Sequence, residues 1–428
     1  MCDCKIRLYL LFWKQNNITS PRIPNVYYPE IQDIFHFYYT NMREIYDVVV
    51  IGAGPAGLNA VYHLFKGNDR PSVLLVDKTV PWEHPKGCAE AVGRLGLEKA
   101  VDVKPSWVRY VVDKATFHAP NDASITYTDK NKGFIINRVL MQQDMSKRCR
   151  ELGADVGFNM AVKGISTLMG TGRTIYFQNG ASISSRVIID ASGAIAGLGK
   201  HERVPWKPED LEPSCFAVVK GVDIDTNIVH IYVGKKIAPA GYAWIFPREK
   251  NTVNIGILIG KQFRGKVNIT TLLDAFLSDY FPKGKVRQRF AGCIPCQSGR
   301  RAMAVYGLLK AGDAASTINP ISRAGIFQAM LSGGLAGDFA LKMLGAQTSK
   351  DLKTMCAGYE KAWHETCGKI HCKLARVKTS LQKVPDEDYE NAAKILSGIP
   401  EHELTMSTIF KMSLGRFPRL VWAIRHLM

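Results

Sequence analysis

The feature that most constrains this fold is a pair of apolar runs separated by a glycine-rich turn. Residues 46–77 read YDVVVIGAGPAGLNAVYHLFKGNDRPSVLLVD. The β-branched runs at 47–51 and 73–76 are typical of buried parallel strands, and residues 58–65 are predicted to form a helix between them. This strand–helix–strand order predicts a Rossmann-like α/β fold.

The turn itself predicts a dinucleotide site. Gly52, Gly54 and Gly57 have G-x-G-x-x-G spacing, and Asp77 ends the second strand. Gly52 allows the tight turn, Gly54 lets a pyrophosphate approach the backbone, and Gly57 lets the helix pack against the strand. Asp77 stands where a carboxylate accepts hydrogen bonds from an adenosine ribose. We therefore expect this chain to bind FAD or NAD.

Composition is ordinary except for charge. The 428 residues are 46% hydrophobic and 22% charged, which suits two or three globular domains. No apolar run approaches the roughly 18 residues needed to span a bilayer. The net charge of +18 suggests an anionic partner (a phosphorylated substrate, an anionic membrane surface or nucleic acid), unless it only serves solubility. Ten cysteines without a credible signal peptide predict mostly reduced thiols in a cytoplasm.

The predicted organisation is α/β, and α+β overall. Residues 1–41 differ from the rest in composition, and Met42 stands just before the first strand, so we expect a loosely ordered extension and a natural start at Met42. The remaining predicted parts are a discontinuous FAD-binding domain (42–101, 134–200 and 291–345), an antiparallel-sheet substrate domain (102–133 and 201–290), and a C-terminal helical region (346–428).

A loop rich in proline and glycine follows the second strand and should run over the cofactor. Cys88 is its most reactive side chain, followed by Glu90. The alternative is a structural loop with an inert thiol. Arg138, at a strand-to-helix junction, could pair with a phosphate or simply be an exposed arginine.

Two further turns are candidates for the cofactor. A buried strand ends in the small residues Asp190 to Gly193, and a second short strand ends in Gly312-Asp313-Ala314. Asp313 could accept a hydrogen bond from a ribityl hydroxyl. The helix predicted after Gly325 would present its N-terminus to the flavin and phosphates.

Tyr242, Trp244 and Phe246 alternate along one predicted strand and would form a single apolar wall. Such a stripe is either ordinary core or the lining of a pocket. Cys293 and Cys296 have C-x-x-C spacing, but no second pair matches it, so we predict no metal site. The basic, aromatic-bearing end of the chain either lies at a membrane interface or docks as a helix.

Taken together, these motifs resemble the FAD-dependent oxidoreductases that include para-hydroxybenzoate hydroxylase. Within them the chain is most similar to the geranylgeranyl reductase family, notably the archaeal digeranylgeranylglycerophospholipid reductases. The loop Lys86 to Val92 resembles the family's cysteine loop, residues 242–247 match its Tyr-x-Trp-x-Phe-Pro strand, and residues 312–325 resemble its second flavin motif.

The resemblance implies a reductase in which reduced FAD delivers hydride to an isoprenoid C=C bond. It implies catalytic roles for Cys88, Glu90, Tyr242, Trp244 and Phe246. The cofactor residues it implies are Gly52, Gly54, Pro55, Ala56, Gly57, Asp77, Lys78, Gly87, Cys88, Ala89, Arg138, Val162, Ala191, Gly193, Gly312, Asp313, Gly325 and Ile326.

The expected partners are a long-chain isoprenoid with an anionic head group, a reductant (NAD(P)H or a ferredoxin), and a peripheral membrane surface. We expect a cytoplasmic monomer that does not bind nucleic acid. The alternatives are a flavin monooxygenase or halogenase, a nucleic-acid-modifying flavoprotein, and a non-catalytic electron carrier.

Overall fold

A computed structural model describes residues 42–80, 82, 87–170, 172–195, 198, 210–296 and 302–404. The predicted N-terminal extension and the basic end of the chain, residues 405–428, lie outside the described residues. Within the described ranges, the strands in chain order are β1 Ile45–Ile51, β2 Val73–Val76, β3 Ala91–Gly93, β4 Val108–His118, β5 Ser124–Ile136, β6 Asp155–Gly157, β7 Val162–Ile165, β8 Arg173–Phe177, β9 Ser182–Asp190, β10 Leu211–Lys220, β11 Ile228–Tyr232, β12 Tyr242–Glu249, β13 Thr252–Leu258, β14 Lys285–Pro295, β15 Ala304–Val305 and β16 Leu308–Lys310.

The helices over the same ranges are α1 Pro55–Leu64, α2 Arg94–Ala100, α3 Arg138–Glu151, α4 Ile269–Tyr280, α5 Ile326–Leu344, α6 Ser349–Trp363, α7 Lys369–Leu381 and α8 Asp386–Leu396. Short 3-10 turns occur at Pro105–Trp107, Lys261–Phe263, Gly312–Ala315 and Glu401–Glu403, and a π-helical turn, His364–Gly368, joins α6 to α7. Over the described residues, none of the helices has both the length and the continuous apolar character of a membrane span.

The first sheet contains the predicted Rossmann-like unit. Its strand order is β15-β16-β9-β1-β2-β6, with β7 and β8 added antiparallel beside β9. The strands from β16 to β6 are parallel, so their carboxyl ends lie at one edge. That edge therefore collects the turns after Ile51, Val76, Asp190 and Lys310.

Helices α1 and α5 pack closely because small residues face each other. A Cβ added at Gly333 would lie 2.0 Å from the Ala56 carbonyl oxygen, and one at Gly337 would lie 2.5 Å from the Ala60 oxygen. The small-residue sequence of α5 thus lets the two backbones approach, and both helices begin near the same edge of the sheet.

The second sheet has the strand order β14-β10-β13-β12-β11-β4-β5-β3. Its pairs are antiparallel except for β11 with β4, which is parallel. Side chains alternate between its faces, so Val253, Ile255 and Ile257 pack with α4, whereas Leu258 faces the other way with Phe216 and Trp244.

Within the predicted antiparallel-sheet domain (102–133 and 201–290), the structure adds a helix, α4, that was not predicted. Asn268 caps this helix by accepting from the Thr270 and Thr271 amides, and Leu273, Phe276 and Leu277 are buried against the sheet. Burial of each such side chain stabilises the folded state by about 2 kcal/mol. The helix covers one face of the sheet and leaves the other face open for a site.

The sheet borders fall a few residues from the predicted domain limits. β5 continues to Ile136, β14 continues to Pro295, and β3 joins the second sheet. The division into domains stays a prediction.

Candidate active site

One cavity of about 1800 Å³ lies between the carboxyl edge of the first sheet and the open face of the second. Ligand pockets usually measure about 300–1,000 Å³. This cavity therefore has room for a large cofactor and a second long ligand together.

The glycine-rich turn reaches the cavity through Gly54, Pro55 and Ala56. Gly52 has a φ of +106°, and a Cβ at Gly57 would lie 1.9 Å from the Gly52 carbonyl oxygen. The backbone conformation and packing of the turn therefore require glycine at both positions. A Cβ at Gly54 would meet only open space, as expected where a ligand approaches the backbone.

Two helix N-termini open on the same cavity. α1 begins after Gly54 and α5 begins after Gly325, and neither has a side-chain cap or an acidic residue in its first turn. Their free N–H groups and positive dipole ends favour an anion. The residues present therefore fit FAD, whose pyrophosphate would lie at α1 and whose flavin would lie near α5.

Asp77 holds the glycine-rich turn. One carboxylate oxygen accepts from the Ala53 amide at 2.8 Å, and the other accepts from the amide and hydroxyl of Thr79 at 3.0 and 3.2 Å. Asp77 is buried, and its predicted contact with a ribose stays a prediction.

Most of the predicted cofactor residues reach the cavity lining. Gly52, Gly57, Asp77 and Val162 do not; Val162 begins β7, and the other three support the turn. The predicted residues that line the cavity are Gly54, Pro55, Ala56, Lys78, Gly87, Cys88, Ala89, Arg138, Ala191, Gly193, Gly312, Asp313, Gly325 and Ile326.

Cys88 lies half-buried in the cavity wall. Its sulfur accepts from the Glu90 amide at 3.3 Å, and the Arg138 guanidinium lies beside it. Burial alone would lower the pKa of Arg138, but Cys88, Asp313 and Glu90 raise it above its ordinary value. Arg138 Nε also donates to Gln142, whose side-chain amide donates to the Ala53 carbonyl. The thiol is thus connected to the glycine-rich turn.

Glu90 does not line the cavity. It has a φ of 63°, is 4% exposed, and one of its carboxylate oxygens lies 2.7 Å from Nη1 of Arg248. Burial raises the pKa of Glu90 against the attraction of Arg248, Arg109 and Arg138. Its contacts hold the cysteine loop, and a direct catalytic role stays a prediction.

Tyr242, Trp244 and Phe246 all line the cavity, with ring centroids 6.2 and 6.3 Å apart along β12. The wall is extended by Phe216 and Phe290, which stack at 4.7 Å. Tyr242 donates to the Ser322 carbonyl at 2.5 Å, and burial raises its pKa. The stripe therefore forms the surface of a pocket.

Two groups of lining residues were missing from the prediction. Phe216 and Phe290 carry no local motif. The cavity also runs under α7 and α8, through Leu381, Tyr389 and Leu396, and only the apolar periodicity of these helices could have suggested it.

Flavin-dependent enzymes are among the solved structures that superpose on this chain. A geranylgeranyl bacteriochlorophyll reductase-like protein from Thermoplasma acidophilum superposes with a TM-score of 0.77 at 24% identity, covering 90% of this chain and 100% of that one. A flavin-dependent brominase superposes with a TM-score of 0.59 at 19% identity, covering 88% and 99%. This chain therefore shares the fold of these two proteins.

Sequence comparison is more specific. Residues 210–293 match the geranylgeranyl reductase catalytic domain, and residues 47–215 match the lycopene cyclase family. The digeranylgeranylglycerophospholipid reductase of Methanosarcina acetivorans is 28% identical over 90% of this chain and 97% of its own length. That of Methanocella arvoryzae is 29% identical over 89% and 98%. The predicted resemblance to geranylgeranyl reductases is confirmed, and with it the prediction of an FAD-dependent oxidoreductase.

Proposed function

We propose that this protein saturates C=C bonds in the geranylgeranyl chains of an isoprenoid lipid or diphosphate. The observation that carries the proposal is the single cavity in which the cofactor residues and the apolar wall of β12 meet. The similarity to reductases of digeranylgeranylglycerophospholipid supports a glycerophospholipid as the substrate class.

The aromatic wall serves to desolvate the chain. An isolated alkene has no carbonyl to polarise, so the protein gains selectivity by burying a long apolar chain beside the cofactor. Tyr242, Trp244 and Phe246 form one side of that channel, and Phe216 and Phe290 continue it. The ordered rings exclude water from the reacting carbons.

FAD, when bound and reduced, supplies a hydride to one alkene carbon, and a proton must reach the other. The Cys88 thiol is the proton donor in this proposal. Its sulfur accepts a hydrogen bond from the Glu90 amide, and the Arg138 guanidinium lies beside it. The thiol regains its proton from water after product leaves.

Basic residues would hold the anionic head group. Lys132 and Lys235 line the cavity and are exposed, in keeping with the net charge of +18. We further propose that NAD(P)H or a ferredoxin reduces the cofactor and that a monomer works at the surface of the membrane, to which its lipid substrate belongs.

The test is an anaerobic incubation of dithionite-reduced protein with geranylgeranyl diphosphate and with a digeranylgeranyl glycerophospholipid. Mass spectrometry should show the lipid gaining two hydrogens for each double bond reduced. NADPH and reduced ferredoxin then replace dithionite to identify the donor. Substrate-dependent oxygen consumption without saturation of either lipid would contradict the proposal and indicate a monooxygenase or halogenase.

A further inference from the structure

Asn254 occupies an unusual position on β13. It lies on the cavity side of the strand, paired in register with Phe246 of β12 and followed on the same face by Gly256 and Leu258. The side chain is 1% exposed. A buried amide of this kind is costly unless hydrogen bonds satisfy it.

The amide connects two parts of the site. Its oxygen accepts from the Trp244 indole N–H at 2.9 Å, and its nitrogen donates to the Cys88 carbonyl at 3.0 Å. One buried side chain thus joins the aromatic wall to the cysteine loop.

Packing against β13 also restricts the orientation of the Trp244 indole. A Cβ at Gly256 would lie 2.2 Å from the Trp244 ring, so the indole lies directly over this glycine. The Asn254 oxygen then fixes which edge of the ring faces β13. A ligand that packs against the indole is therefore linked to Asn254 through the indole hydrogen bond.

The cysteine loop has separate contacts on either side of Cys88. A Cβ at Gly87 would lie 2.8 Å from the Phe216 ring, and the Glu90 carbonyl accepts from the Ile136 amide at 2.9 Å. Among the described residues, the Asn254 amide is the hydrogen-bonding group that reaches both Cys88 and the channel wall.

We propose that Asn254 is a positioning residue, which holds the Cys88 thiol at the channel through the Cys88 backbone and couples it to Trp244. A chain that fills the channel and presses on the indole thereby keeps the thiol in place. The catalytic part of this inference rests on the proposed function; the positional part does not.

The first experiment measures thiol accessibility in the FAD-loaded full chain. Iodoacetamide labelling is followed by peptide mass spectrometry, with Cys293 as internal reference because it also lines the cavity and is half-buried. Asn254→Leu removes both hydrogen bonds at similar volume. We expect the Cys88-to-Cys293 labelling ratio to rise about fivefold, the scale of one lost hydrogen bond. An unchanged ratio would overturn the proposal.

A second variant covers the case in which Asn254→Leu does not fold. Trp244→Phe keeps an aromatic ring at this position and removes the indole N–H together with part of the ring volume. It should raise the same ratio about twofold, since it loosens Asn254 without removing its bond to Cys88. No change in this variant would refute the coupling between wall and thiol.

A double-mutant cycle tests the catalytic part. Asn254→Leu should slow turnover at saturating lipid in the native background and have no further effect in Cys88→Ala. Equal losses in both backgrounds would show a merely structural role and overturn it. If the native protein reduces no isoprenoid, the proposed function has failed, while the labelling ratio still decides the position of Asn254.

Discussion

The chemistry proposed for Cys88 depends on its setting in the cavity wall. The Glu90 amide donates to the sulfur at 3.3 Å, and the Arg138 guanidinium lies beside it. We expect Cys88→Ala to lower turnover about a hundredfold, the usual scale for loss of a general acid. The flavin absorption spectrum should be retained. Anaerobic turnover of the geranylgeranyl lipid is the measurement.

The matched control is Cys293→Ala, which removes a second half-buried thiol from the same cavity. It should leave turnover within about twofold, because no residue in the described ranges donates a hydrogen bond to its sulfur. Unchanged turnover in Cys88→Ala would remove the thiol from the mechanism.

A pair of histidines makes stability depend on pH. His118 Nε2 lies 3.1 Å from His230 Nδ1, and the His118 ring stacks on Tyr232 at 4.0 Å. Burial, and then His230, lowers the pKa of His118 to about 4, against a smaller opposing effect of Asp122; burial also lowers the pKa of His230. The folded state therefore favours the neutral imidazole.

The sign of this linkage gives a prediction. A depressed folded pKa contributes stability above the ordinary value of 6.5, and that contribution is lost as pH falls toward about 4. His118→Gln should lower the free energy of unfolding by about 1 kcal/mol at pH above 7. The difference in this free energy between the variant and the native protein should narrow as pH falls. Urea unfolding at several pH values measures it; parallel curves would contradict it.

Among the elements, α8 forms part of the cavity wall, and no motif indicated it. Tyr389, Ala392, Ala393 and Leu396 face the cavity, while Asp386 at the start of the helix accepts from the Lys235 amide at 3.0 Å. The small alanines leave room for a chain. The length of isoprenoid accepted should therefore depend on this helix.

Ala393→Phe tests that dependence. The ring would fill channel volume, so KM for the geranylgeranyl substrate should rise about tenfold while a geranyl analogue is affected much less. Asn391→Phe, on the exposed side of the same helix, is the control and should change neither. Equal effects on both substrates would show that the channel does not extend under α8.

The helices and strands that could be predicted from the sequence are those whose signals are local. β2 was predicted at its observed limits because a short β-branched run ends in a turn signal. α4 was missed although Asn268 and the spacing of Leu273, Phe276 and Leu277 marked it, since Ile269-Thr270-Thr271 favours a strand.

The residues of the site also fall into those that could be predicted from local motifs and those that could not. Gly54, Cys88 and Trp244 lie in contiguous motifs and could be selected from the sequence. The partners that orient them could not, because Asn254 and Arg248 reach the cysteine loop across 166 and 158 positions of chain. Neither residue type indicates such a contact by itself.

For the whole molecule, the net charge of +18 predicts attraction to anionic surfaces. The proposed lipid substrate resides in a membrane, so the protein should bind vesicles that contain anionic phospholipid and not neutral ones. Binding should be lost when salt is raised to about 0.5 M, where screening leaves only short-range contacts. Co-sedimentation at constant lipid concentration measures it.

The source of that attraction can be assigned with matched charge reversals. Lys411, Arg416 and Arg419 belong to the basic end of the chain, while Lys350, Lys353 and Lys369 are exposed on α6 and α7. Changing the first three to Glu should abolish vesicle binding, because aromatic residues accompany those charges and can enter the interface. The second set removes the same charge and should weaken binding only partly. Equal losses from both sets would mean that net charge alone acts, and binding that survives high salt would refute an electrostatic origin.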